Sequence, residues 1–352
     1  MRALSALGAA LLGAGTMLAG LPAAAQSNAD IAAAAPIIER GKPLPPSSLS
    51  IDTPMLDGRV IHSERIFVEP MGYRPLRMDI YRPANAKAAN RPLLIWVHGG
   101  AWVAGTPQEA AAFADWPGVL AAMAAKGYVV AAVSYRLAKE APFPAAIRDV
   151  KSGIRWLRAH AGDYGIDPGQ VGIWGESAGG HLIGLAATSC GVAALEPVDE
   201  SRRRGPRPPE QPAPSACVQA AVGWFGIYDL NFEGPVKYPP QPPEDPTRLF
   251  VGCQTAQCTV EQKRAVSPVT YIDKSDAPML LIHGDADFAV PYQQSEVMAA
   301  ALKAAGVPVE LMIIPGANHG WFGKSQAETV AAHRKALTAT IDYFDRRFGP
   351  RP

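Results

Sequence analysis

The chain has 352 residues, with 33 lysines and arginines against 32 aspartates and glutamates, for a formal net charge of +1. That balance leaves no electrostatic case for nucleic acid or an anionic membrane surface as partner. Hydrophobic residues make up 48% and charged residues 18%, which excludes a disordered chain and suits one large α/β domain or two small ones.

The first 25 residues read as a signal peptide. Arg2 supplies a positive start, Ala3 to Leu21 is an uncharged Ala/Leu/Gly run, and Ala23-Ala24-Ala25 fits an A-x-A cleavage site. A retained membrane anchor is the competing reading, because the run is about long enough to span a bilayer. Its many alanines and glycines and the well-placed cleavage site argue against it. The expectation is therefore a periplasmic or secreted protein. No later segment is apolar for 18 residues, so no membrane association is expected after cleavage.

Residues 26 to 58 are rich in Ala, Pro and Ser and read as an N-terminal arm or linker. A single catalytic domain is expected over residues 59–352. Ile66–Val68 and Met78–Tyr81 read as an antiparallel strand pair, and Leu93–Val97 and Gly127–Val133 as strands buried on both faces. Gln108 to Lys126 is expected to be helical. In Pro144 to His160, Ile147, Val150, Ile154 and Leu157 form one apolar stripe, with Pro144 suited to the first turn. Further strands are expected at Val171–Trp174, Val218–Val222, Met279–Ile282 and Val309–Ile314, and a last helix from Gln326 to Phe348. Alternating strands and helices imply an α/β fold, a mainly parallel central sheet with helices on both faces.

Two insertions break the rhythm, at about 195–215 and 226–268. The first carries Arg202-Arg203-Arg204 and Arg207 among prolines and reads as a solvated loop. The second is Pro-rich and reads as a cap or lid over a binding site. The four cysteines, Cys190, Cys217, Cys253 and Cys258, allow three pairings in an oxidising compartment. If Cys253 and Cys258 close a small loop, Cys190 and Cys217 bracket the first insertion, a closure worth roughly 3 kcal/mol. No second C-x-x-C and no His cluster accompanies them, so no metal site is expected.

Gly175-Glu176-Ser177-Ala178-Gly179 matches G-x-S-x-G between an expected strand and an expected helix. Such a sharp turn pushes the serine side chain outward and demands small residues two positions either side. A serine hydroxyl needs a base, and on this elbow the partners follow in the order Ser, acid, His. His283-Gly284-Asp285-Ala286-Asp287 follows one late strand, and Gly316-Ala317-Asn318-His319-Gly320 follows the next. Both loops fall at carboxyl ends of parallel strands, the edge that carries Ser177. His319 is the candidate base, and Asp287 or Asp285 the acid that orients it. His62 lies too early, His160 and His333 lie on helices, and His181, one turn beyond Ser177, reads as a packing or capping residue. His98-Gly99-Gly100-Ala101-Trp102 follows a central strand and offers backbone N–H groups to an oxyanion, with Ala178 as a further donor. Trp102, Trp224, Phe225, Phe288 and Trp321 neighbour these motifs and are candidates for an apolar acyl or aryl pocket.

Together these elements resemble the α/β-hydrolase superfamily, and within it esterases with an HGG-type oxyanion loop. The similarity runs from about Ile66 to Phe348 and is closest to bacterial feruloyl and acetyl-xylan esterases. It is carried by Trp96–Gly100, Ser134–Leu137, Phe143–Val150 and Gly175–Leu182. The family's D-x-x-V-P pattern selects Asp287 over Asp285. The resemblance assigns the oxyanion donors to the amides of Gly100 and Ala101, with Gly99 beside them. Related hormone-sensitive-lipase-like esterases have a third glycine where this chain has Ala101. Arg136 and Asp149 recur in the family pattern and read as a structural ion pair. The implied activity is cofactor-free acyl transfer from a small or polymer-linked ester, with feruloyl, acetyl or similar short or aryl groups. An arylformamidase-like amidase or a peptidase would use the same triad, and a non-catalytic binding protein on this fold is the remote alternative.

Overall fold

A computed structural model describes residues 27–37, 53–85, 90–198, 213–233, 245–253 and 257–349. The expected signal peptide, the arm between 38 and 52, the arginine cluster at 202–207 and the prolines at 235–243 lie outside the described residues.

In chain order the elements are α1 (Asn28–Ala34), β1 (Thr53–Met55), β2 (Val60–Val68), β3 (Leu76–Pro83), β4 (Arg91–Val97), α2 (Trp116–Ala125) and β5 (Val129–Val133). Then come α3 (Ala145–Ala159), α4 (Ala161–Tyr164), β6 (Ile166–Glu176), α5 (Ala178–Thr188), β7 (Ala220–Trp224), α6 (Pro246–Val251) and α7 (Val260–Ala265). The chain closes with β8 (Met279–Gly284), α8 (Gln293–Ala304), β9 (Val309–Ile314) and α9 (Gln326–Phe348).

The strands form one nine-stranded sheet in the order β1-β2-β3-β5-β4-β6-β7-β8-β9. Pairings from β1 through β3 to β5 are antiparallel, and those from β5 through β4 to β9 are parallel. The parallel half needs helical cover on both faces, and the sequence supplies it through alternation. In β4, Leu93, Ile95 and Val97 join the core under α3, α5 and α8. Leu94 and Trp96, pointing the other way, join the core under α1, α2 and α9. The five residues of β5 and of β7 are likewise all buried.

Three expectations are adjusted. The helix expected from Gln108 begins only at Trp116, because Asp115 caps it by accepting the Gly118 N–H at 2.9 Å, with a proline in the first turn. Residues 108–115 form turns instead, with Ala111 in left-handed backbone at φ 41°. Pro144 takes the N-cap position of α3, just ahead of the first turn. Strands β2 and β6 outrun their apolar runs, since ladder pairing rather than apolarity sets their ends.

Within the N-terminal arm, α1 is closed by a Ser27/Asp30 capping box and buries Ile31 and Ala32. Its Asn28 side chain bonds Asp345 of α9 at 2.7 Å, and Arg334 of α9 donates to the Ala33 carbonyl at 2.8 Å. Two disulfides form, Cys190–Cys217 and Cys253–Cys258, with Cα–Cα separations of 5.0 and 5.3 Å. The first ties the end of α5 to the start of β7 across the first insertion. Among the described residues no helix is long and apolar enough to cross a membrane.

Candidate active site

Strand β6 ends at Glu176 and α5 begins at Ala178, so Ser177 alone makes the turn, at φ 51° and ψ −118°. An L-residue in such a conformation costs on the order of 1–3 kcal/mol, so the surroundings must hold it. The Ser177 N–H donates to the Trp224 carbonyl of β7, and the Ser177 carbonyl accepts the His181 N–H, both at 2.9 Å. A Cβ on Gly179 would stand 2.1 Å from the Val97 carbonyl oxygen, and one on Gly175 2.7 Å from the same atom. The two flanking glycines therefore let the elbow press against the end of β4.

The loops after β8 and β9 bring the acid and the base to the serine. His319 Nε2 lies 3.1 Å from Ser177 Oγ, and its Nδ1 lies 2.8 Å from Asp287 Oδ2. With Nδ1–H donating to the carboxylate, Nε2 is left to accept the serine proton. Asp285 accepts instead from the Gly316 amide at 2.6 Å on the exposed side of the loop, and of the two acids only Asp287 reaches His319. Burial pushes the Asp287 carboxyl upward. Hydrogen bonds from His283 and His319, the charge of His319 and the Val290 amide outweigh it and hold the group at about 2. It is thus ionised whenever a base is needed.

Two supporting residues received no role in the sequence reading. His283 Nε2 lies 2.9 Å from the Val290 carbonyl and 3.3 Å from Asp287 Oδ2, while Nδ1 faces Ser295 Oγ at 2.7 Å. The Asn318 side chain accepts the amides of His319 at 2.7 Å and Phe288 at 3.1 Å, joining the base loop to the acid loop. Each sits inside a motif already singled out, but which side chain turns towards which partner is set by the folded loops and is not given by spacing.

On the opposite side of Ser177, Gly100 runs at φ 104°, Ala101 at 51° and Trp102 at 60°. Gly100 and Ala101 are exposed, and among the described residues no acceptor takes their amides. Ala178 is the first residue of α5, where the N–H has no intrahelical acceptor. Gly99 differs. It is buried, and its amide, with that of Ala111, turns to the Glu176 carboxylate. Glu176 is itself pushed up to about 7, by burial above all, against the amides of Ala111 and Gly99 and the charge of His319. Its Oε2 is buried without a hydrogen-bond partner among the described residues.

The aromatic candidates separate. Trp224 and Trp321 are fully buried, edge to face at 5.8 Å, and Trp224 donates to Thr340 at 2.9 Å. They have no surface to offer a ligand, which corrects their assignment to a pocket. Phe225 is also buried, its ring edge-on to His319 at 4.7 Å, so it packs against that imidazole and leaves no face to a pocket. Trp102 is buried, 4% exposed. Of the five, only Phe288 is open to solvent, at 70%. Arg136 and Asp149 form the expected buried ion pair at 2.8 Å. Among the described residues no group of three or more His, Cys, Asp or Glu side chains could hold a metal ion.

Comparison with known proteins matches residues 78–302 to the family model described as BD-FAE. Esterase LipQ of Mycobacterium tuberculosis is 32% identical over 286 residues, covering 80% of this chain and 62% of LipQ, so the chain spans under two thirds of that relative. A truncated carbohydrate esterase from gut microbiota superposes with a TM-score of 0.63 at 28% identity, covering 81% of this chain and 96% of its own. A butyrate-bound structure of esterase 2 from Thermogutta terrifontis gives 0.63 at 28% identity, covering 82% and 96%. The sheet with its surrounding helices is the α/β-hydrolase arrangement.

Proposed function

Because the chain belongs to the BD-FAE family of α/β-hydrolase esterases, we propose that it is an exported carboxylic ester hydrolase in which Ser177, His319 and Asp287 form the catalytic triad. The observation that carries the reading is the unbroken hydrogen-bonded chain from Ser177 Oγ through the His319 imidazole to Asp287. Ser177 Oγ attacks the ester carbonyl carbon as its proton passes to His319 Nε2, and the carbonyl electron pair moves onto oxygen. The amides of Gly100, Ala101 and Ala178 stabilise that oxyanion, each such donor being worth about 3 kcal/mol of barrier. As the carbonyl reforms, the C–O bond to the alcohol breaks and His319 gives the alcohol its proton. Water, deprotonated by the same nitrogen, then releases the acid from the acyl-enzyme. Asp287 stays ionised throughout and balances the imidazolium.

The substrate class proposed is a short acyl or aryl ester, of the acetyl or feruloyl kind. Supporting it are the family, the butyrate held by the Thermogutta terrifontis enzyme, and the exposed ring of Phe288 beside Asp287. Export is supported by the features of residues 1–25 and by two disulfides, which persist in oxidising compartments. The test is hydrolysis of a p-nitrophenyl ester series by the mature protein, run beside Ser177→Ala. Turnover greatest on short chains, falling by about 10³-fold or more in the variant, is expected. An equally active Ser177→Ala protein would refute the assignment of the nucleophile.

A further inference from the structure

Ala101 and Trp102 are consecutive residues with side chains, both held in left-handed backbone. That conformation is unfavourable for any L-residue bearing a Cβ, and it persists only where the surroundings over-determine it. The backbone here is fixed by the Val103 and Ala104 amides on the Gly100 carbonyl, both at 3.0 Å, and by the Ala138 amide on the Trp102 carbonyl at 2.7 Å. The Trp102 side chain supplies the rest. Its indole N–H donates to His181 Nδ1 at 3.2 Å, and its ring lies flat on Phe250 of α6, with centroids 4.6 Å apart.

His181 is fully buried and reaches three elements at once. Its main-chain N–H is bonded to the Ser177 carbonyl, its Nδ1 to Trp102, and its Nε2 to the Val266 carbonyl at 2.7 Å. An indole N–H can only donate and a carbonyl can only accept, so one tautomer satisfies both, with the proton on Nε2. Burial holds the imidazole down to about 4, which keeps that tautomer neutral at working pH. Phe250 stands edge-on to the same ring, at 5.2 Å and 89°.

We propose that His181 is a positioning residue that sets the distance between the nucleophile and the oxyanion donors, clamping Trp102 against the elbow and seating the cap segment around Phe250 and Val266 on the clamp. The proposal rests on the reading of Ser177 as nucleophile and of the Gly100 and Ala101 amides as donors. Without the clamp, those amides move away from the point where the oxyanion forms, while the triad itself stays intact. The loss should therefore fall on the transition state and not on ground-state binding.

Trp102→Phe, His181→Phe and the double variant test this. Trp102→Phe keeps an aromatic ring facing Phe250 while removing the N–H together with part of the ring volume, so it remains informative if His181→Phe does not fold. Each folded variant is expected to lose kcat by roughly 10- to 100-fold, with KM changed less than about threefold. Affinity for a trifluoromethyl ketone, whose adduct carries an oxyanion, should weaken by the same factor as kcat. The double variant should lose no more than the worse single one, because both break one connection. A folded Trp102→Phe protein with wild-type kcat and wild-type ketone affinity, or losses that multiply in the double variant, would overturn the clamp. Ser177→Ala run alongside separates the two claims. If it keeps the wild-type rate, or if the wild type hydrolyses no ester, the esterase reading fails and the clamp with it. If it is inactive while Trp102→Phe is unaffected, only the clamp fails.

Discussion

Glu176 is the residue whose behaviour departs most from its type. A carboxyl held at about 7 in the fold, against 4.5 unperturbed, binds its proton more tightly folded than unfolded. The contribution of this carboxyl to stability is therefore full below pH 4.5, falls as pH rises through the interval, and is lowest above 7. The interval corresponds to roughly 3 kcal/mol at 1.36 kcal/mol per unit. Glu176→Gln cannot ionise, so its unfolding free energy relative to wild type, measured by denaturant titration from pH 4.5 to 8, should rise by about that amount across the interval. Parallel pH profiles for wild type and variant would show that the buried carboxyl is not coupled to stability. Of these residue-scale features, Ser177 and His319 were legible because glycines and strand-end loops mark them, and the choice of Asp287 needed the family pattern. Glu176 lies inside the motif, but its state is set above all by burial, against the amides of Ala111 and Gly99, and no spacing rule reveals that packing. Trp224 and Trp321 were misjudged for the converse reason. Nearness to a motif along the chain says nothing about which way a ring points, and these two point into the core.

At the scale of elements, continuous apolar runs marked β4, β5 and β8 well because strands buried on both faces need no alternation. The helix at Gln108 was placed too early because alanine content is a propensity, whereas the start is set by the Asp115 cap. Helix α1 was not foreseen. It has seven residues, too short to be stable by itself, and exists through docking. Ile31 is the anchor, 1% exposed among residues of α2 and α9. Ile31→Ala should lower unfolding free energy by about 2–4 kcal/mol, as large-to-small core substitutions do. Hydrolysis rates should be unchanged, because α1 lies against α9, away from the triad. A loss under 0.5 kcal/mol in chemical denaturation, on the order expected of a surface substitution, would mean that the helix contributes no packing of consequence.

For the whole molecule, the strand order explains why distant sequence motifs meet. The parallel strands β4, β6, β8 and β9 all end at one sheet edge, and each is followed there by a loop carrying part of the site. That convergence was legible from strand–helix alternation together with the position of each motif just after a strand. The clamp beneath the oxyanion loop was not legible, since it joins residues 102, 181, 250 and 266 through side chains. In the mechanism proposed above, this edge makes one serine nucleophilic through His319. The most direct measurement is to react the protein with a fluorophosphonate, follow residual hydrolysis of p-nitrophenyl acetate, and map the adduct by peptide mass spectrometry. A single adduct on Ser177, forming in step with loss of activity and absent in His319→Ala, is the expected result. Phosphonylation of another residue in step with inactivation, or full activity with Ser177 modified, would contradict the account.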